Sequence, residues 1–225
     1  MAIKGFPADR YTGRGLIVGR SPDGESWLQI YWVSGRSENS RNRVLVEREG
    51  EVRTETADRS RQVNGTFTLY TAACSVGDAH IAGNGDQVAT VARALESGGS
   101  FEDALRQRSV EEDPPIWTPR ITAMLRAGTL KLARIGKLGH SFFEAAPLAP
   151  GEGLCFTTYR GDGNPVAVFE ADPYLVRLTG AADELAADAW ARLEPDLRVG
   201  LMVKEIRPDG SARHVILNRL DVAAA

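Results

Sequence analysis

Gly15-Leu16-Ile17-Val18-Gly19-Arg20, then Ser21-Pro22-Asp23-Gly24, then Trp27-Leu28-Gln29-Ile30-Tyr31-Trp32-Val33: this stretch reads as two strands and a tight turn. The flanking runs are rich in β-branched and aromatic residues, which favour a pleated surface. Asp-Gly between them supplies the positive φ that a tight reversal requires. Both runs are almost continuously apolar, as expected of strands covered on both faces.

The same signature recurs. Gly161-Asp162-Gly163-Asn164 separates Leu154–Tyr159 from Val166–Glu170, and Pro208-Asp209-Gly210 separates Val199–Ile206 from Ala212–Leu217. Ala127-Gly128 joins Ile121–Arg126 to Thr129–Ile135, and Arg43–Glu47 and Thr66–Cys74 add two more strands. Helices are fewer. Gln87–Ser97 places Val88, Val91, Ala92 and Leu95 at helical spacing, opens beside Asp86 as a candidate cap, and stops at Gly98-Gly99. Ser100 caps Phe101–Arg108, with Asp103 placed to reach back, and Ala181–Leu193 carries an apolar stripe through Leu185, Ala189 and Leu193. No repeat, low-complexity tract or linker interrupts the chain, so residues 1–225 read as one domain of two packed sheets with helices outside them.

Bulk properties narrow the function. The 225 residues are 43% apolar, enough for a sizeable core without disulfides or metal. A net charge of −3 argues against nucleic acid and anionic membranes as partners, so any anion must meet a local basic cluster. No segment has the apolar length of a membrane span, and Met1–Arg14 lacks the core of a signal peptide, so a cytoplasmic protein is expected. Cys74 and Cys155 then read as two buried thiols. The three histidines, His80, His140 and His214, share no ligand spacing, so no metal and no other cofactor is expected.

Three segments carry candidate chemistry. Tyr31 to Arg43 contains Ser34, Arg36, Ser37, Asn42 and Arg43. Guanidinium groups grip phosphate in two-pronged fashion and neutral donors take its other oxygens, although such a loop also reads as plain solvated surface. Tyr70 precedes Asn84-Gly85-Asp86, where a helix N-terminus opens. Alone, these are a core aromatic and a capped turn. The third segment is Glu111-Glu112-Asp113-Pro114-Pro115, leading through Thr118-Pro119 to Arg120. Its prolines order the loop, and burial would fit its acids for proton transfer; exposed, they would be an ordinary acidic turn.

In their order and spacing these segments resemble the archaeal-type inosine monophosphate (IMP) cyclohydrolase family. The resemblance lies in Gly13–Gly19, Tyr31-x-Val33-Ser34-x-Arg36-Ser37, Asn42-Arg43, Tyr70, Asn84-Gly85, the acidic loop ending in Thr118-Pro119-Arg120-Ile121, and Ala181–Leu217. It implies an α/β (α+β) fold, the four-layer αββα sandwich of two mainly antiparallel sheets found in N-terminal nucleophile hydrolases, used here without that nucleophile. Ala2 indeed offers no nucleophilic side chain. It also implies closure of 5-formamidoimidazole-4-carboxamide ribotide (FAICAR) to IMP with loss of water. Tyr70, Glu111, Asp113 and Arg36 would then be catalytic, and Ser34, Ser37, Asn42, Arg43, Asn84, Gly85, Thr118 and Arg120 would bind the nucleotide. A homo-oligomer fits this reading. A nucleotide-binding homologue without turnover, and an amide hydrolase on a related substrate, are the competing functions.

Overall fold

The computed structural model describes residues 1–61 and 67–220. Its strands are β1 (Ile3–Lys4), β2 (Arg14–Arg20), β3 (Trp27–Ser34), β4 (Arg43–Arg48), β5 (Glu51–Thr56), β6 (Thr71–Val76), β7 (Ala79–Gly83) and β8 (Arg120–Arg126). They continue with β9 (Thr129–Gly136), β10 (Gly139–Glu144), β11 (Glu152–Thr157), β12 (Tyr159–Arg160), β13 (Ala167–Val168), β14 (Tyr174–Leu178), β15 (Arg198–Ile206) and β16 (Ala212–Asn218). The helices are α1 (Glu38–Arg41), α2 (Gln87–Glu96), α3 (Phe101–Arg106) and α4 (Ala182–Arg192).

Two seven-stranded antiparallel sheets dominate. One runs β1-β14-β11-β2-β3-β15-β16, the other β10-β9-β8-β7-β6-β5-β4. Alternate residues of the central strands serve different cores, as the period of two requires. On β2, Leu16 and Val18 join Tyr31, Val33 and Met202 in a core shared with Leu45, Ile121, Ala123 and Leu132 of the second sheet. Ile17 points the other way, into a cluster with Ile30, Leu201 and the Leu185 and Ala189 stripe of α4. On the far side of the second sheet, Ile81 and Met124 pack against Val88 and Val91 of α2 and Phe101 and Leu105 of α3. Each such large apolar side chain contributes roughly 1.5–3 kcal/mol on burial. The near-continuous apolar runs of β2 and β3 are thereby explained.

The turns at Asp23-Gly24, Gly128 and Asp209-Gly210 form the expected hairpins β2–β3, β8–β9 and β15–β16. The hairpin expected around Gly161–Asn164 survives only as the short pair β12–β13. Most of its first strand became β11, which pairs with β2 and β14 instead. The predicted strand Thr66–Cys74 is observed as Thr71–Val76, and its first residue lies outside the described region. Asp86 does not cap α2, because its carboxylate is held by Arg108 and Arg120. Ser100 does cap α3, accepting from the Asp103 N–H at 3.1 Å. Cys74 and Cys155 are buried and unbridged. No helix among the described residues is long and apolar enough to cross a membrane.

Candidate active site

Arg14 opens β2 on the face that Leu16 and Val18 turn toward the second sheet. The glycines on either side of it are closely packed. A Cβ on Gly13, which also has φ +66°, would collide with the Tyr159 ring and Thr158 Oγ1; a Cβ on Gly15 would collide with Trp32. The Arg14 N–H is fixed by Thr158 Oγ1 at 3.0 Å. Its guanidinium crosses to the acidic loop, where Nη2 donates to Glu111 Oε1 at 2.6 Å. Glu111 is only 2% exposed. Burial pushes its carboxyl above the usual range, and Arg14 and Arg120 restrain that rise. Burial alone would lower the Arg14 guanidinium, but the facing Glu111 reverses the shift and keeps it charged.

Tyrosines surround the pair. The Tyr31 and Tyr70 hydroxyls lie 2.7 Å apart. Tyr31 is completely buried, which raises its phenol well above the ordinary value. Tyr159 is pushed up to about 12 by burial. It shares a hydrogen bond with Thr118, whose hydroxyl also donates to Asp113 Oδ2 at 2.5 Å. Tyr11 stacks on Tyr159 at 5.4 Å between ring centres, and the Arg36 guanidinium lies 5.0 Å over the Tyr11 ring. Burial raises Tyr11 as well, opposed by the charges of Arg14, Arg36 and Arg43. The site thus brings together two carboxylates (Glu111 and Asp113), three guanidinium groups and four phenols at one end of the space between the sheets.

The sequence-predicted residues divide. Arg36, Arg43, Tyr70, Glu111, Asp113 and Thr118 gather here. Arg36 Nη1 donates to the Gly163 carbonyl at 2.8 Å, and Arg43 Nε to Ser40 O at 2.7 Å, which aims both cations. Ser34 is buried, its N–H bound to Gly13 O. The others are held in the framework. Ser37 Oγ caps α1. Asn42 exchanges hydrogen bonds with the Asp58 backbone. Asn84 is spent on Pro119 O, Ile121 N and Gln87. Arg120 points to the α2 side of its sheet, binding Asp86 and Gln87, and Gly85 packs against it. Arg14, Tyr11, Tyr31 and Tyr159 were not predicted as site residues. Strand phase could have found two: Arg14 is in step with Leu16 and Val18, and Tyr31 with Val33.

A cleft of about 490 Å³ flanks the acidic loop, lined in part by Ile116, Trp117, Arg134, Lys137 and Phe169. It meets the site at Ile116, which packs against Tyr11 and Tyr159. Among the described residues, no three His, Cys, Asp or Glu side chains gather as metal ligands would.

A buried carboxylate poised against a guanidinium, with phenols and further arginines around it, is an arrangement able to move protons on an anionic small molecule. Residues 11–210 match the family described as IMP cyclohydrolase-like protein, and the chain belongs to that family. It is also similar to the IMP cyclohydrolase of Methanopyrus kandleri, 30% identical over 152 residues, which span 66% of this chain and 75% of that protein.

Proposed function

We infer that this chain is an IMP cyclohydrolase, closing FAICAR to IMP and water in purine synthesis, work done in the cytoplasm. The enzyme is classed as a hydrolase because the reverse reaction opens the ring with water. The observation that carries the site assignment is the buried Arg14–Glu111 pair beneath the Tyr31–Tyr70 couple. Ring closure needs the carboxamide nitrogen to attack the formyl carbon, one proton to leave that nitrogen and one to leave the formamide nitrogen, and the formyl oxygen to take up two protons and depart as water.

Glu111 is the acid we assign to proton transfer. Both oxygens of Asp113 are engaged by Thr118, through its N–H and its hydroxyl, which makes Asp113 an orienting group. A carboxyl raised by burial is a stronger base than an exposed one, as taking up the amide proton requires. Tyr70, held by Tyr31, donates to the departing oxygen, and the two protons released by the nitrogens balance the two that the oxygen carries away. Arg14 Nε is buried without a partner among the described residues, a donor available to the oxyanion that forms on attack. Arg36 and Arg43 hold the phosphate. The reacting groups belong to one molecule, so holding it folded supplies much of the acceleration.

The packing of α4 on one sheet and of α2 and α3 on the other supports reading the chain as a single αββα domain of the N-terminal nucleophile hydrolase type. The purified chain, given FAICAR, should form IMP, followed by absorbance. Tight binding of IMP without turnover would instead mark a nucleotide-binding homologue.

A further inference from the structure

The opposite end of the space between the sheets holds a second polar cluster that ring closure does not use. Lys204 lies on β15 in phase with Met202 and Ile206, so its side chain enters the shared core, where it is 0% exposed. Its Nζ donates to Ser75 Oγ at 2.8 Å and to the Cys74 carbonyl at 3.3 Å. Ser75 on β6 stands opposite His80 on β7, with Oγ 3.0 Å from His80 Nδ1. Unlike the lysine behind it, Ser75 is exposed, and a Cβ on nearby Gly77 would meet open space. Among the described residues no carboxylate pairs with Lys204.

We propose that Ser75, backed by Lys204, is a nucleophilic centre apart from the ring-closing site, accepting an acyl group from small activated acyl compounds such as thioesters and acyl phosphates. The geometry is that of a hydroxyl held between an accessible surface and a buried base. Burial lowers Lys204 to about 8, against smaller opposing effects of Cys74 and Glu47, so an appreciable part is neutral amine near physiological pH. The other titratable neighbours are His80, lowered to about 4 chiefly by burial with Lys204 adding and Asp78 opposing, and His214, which lies against Glu47.

In the step proposed, a lone pair of Ser75 Oγ bonds to the acyl carbon while the hydroxyl proton passes to the neutral Lys204 amine. The bond from that carbon to its leaving group then breaks. The leaving group departs with the electron pair and takes the proton from the Lys204 ammonium. The products are the Ser75 ester and a free thiol or phosphate.

The test uses the full chain and p-nitrophenyl acetate as acyl donor, with acetyl groups located by peptide mass mapping. The expected result is acetylation of Ser75 that is roughly tenfold faster at about pH 9 than at about pH 7 and levels off above that, following the neutral fraction of a base near 8. Ser75→Ala should remove that acetyl, and Lys204→Met should slow Ser75 labelling at least about tenfold. Acetyl confined to surface amines would overturn the proposal, as would equal labelling of Ser75 in Lys204→Met. Should Lys204→Met fail to fold, the wild-type profile decides alone. A rate that climbs with hydroxide and never levels off would mark Ser75 as an ordinary hydroxyl.

Discussion

Two buried cations, Arg14 and Lys204, lie in the space between the sheets, and the chain treats them differently. Arg14 meets a carboxylate at 2.6 Å, whereas Lys204 meets a hydroxyl and a carbonyl and, among the described residues, no carboxylate. The first arrangement secures a permanent charge, since a guanidinium hardly titrates and its partner is aimed at it. The second leaves a charge uncompensated, and an ammonium in that position relieves the cost by releasing its proton. Burial alone therefore does not make a cation part of a charged site; the partner decides. At one end the surroundings preserve the charge of Arg14. At the other they prepare a neutral amine.

The contrast can be broken most severely at Arg14. Arg14→Met strands the Glu111 carboxylate in the core, and removing one member of a buried pair costs about 3–5 kcal/mol. Denaturant melts should show that loss at neutral pH. Glu111→Gln introduced into the same variant should recover part of it, because a neutral amide tolerates burial better than an unpaired charge.

At Lys204 the sign is opposite. Its folded pKa of about 8 lies below the ordinary 10.5, so the unfolded chain binds more protons between those values. This contribution to stability is complete above roughly pH 10.5 and is lost as the pH falls toward 8, by on the order of 3 kcal/mol. Lys204→Met should flatten the rise in that window and leave the protein at least as stable at neutral pH. A variant clearly less stable at neutral pH would show that the ammonium is compensated after all.

The smallest effect separates binding from chemistry at the first end. If Arg36 holds the phosphate as proposed, Arg36→Ala should cost about 1.5–3 kcal/mol, so affinity for the nucleotide should fall roughly ten- to a hundredfold while affinity for the nucleoside stays the same. Calorimetric titrations with both ligands check this. Equal losses would assign Arg36 to packing on Tyr11.

Most of the fold was legible because its signals are local. An Asp-Gly turn between apolar runs declares a hairpin whatever surrounds it, as β2–β3 and β15–β16 show. Leu154–Tyr159 misled for the same reason. Its turn signal is real, but pairing of β11 with β2 and β14 is set by distant strands. Residue type alone singled out Arg36, Tyr70 and Glu111, which the fold brings to one end of the sheets; their roles are those proposed above. The site was obscure where pairing carries the chemistry: Arg14 and Glu111 stand far apart in the chain, and only the packing of the sheets joins them. Ser37 and Asn42 showed the reverse error, since donors suited to phosphate are equally suited to capping a short helix and closing a loop. Ser75 and Lys204 gave no local sign, because their meeting depends on both sheets at once.

The most direct test is kcat for conversion of FAICAR to IMP in Glu111→Gln and Tyr70→Phe. With general acid–base transfer at this end of the fold, each should lose roughly 10²–10⁴-fold in kcat with IMP affinity nearly unchanged, and Glu111→Gln should flatten one limb of the pH–rate profile. Near-normal kcat in both variants, each shown to be folded, would contradict the assignment.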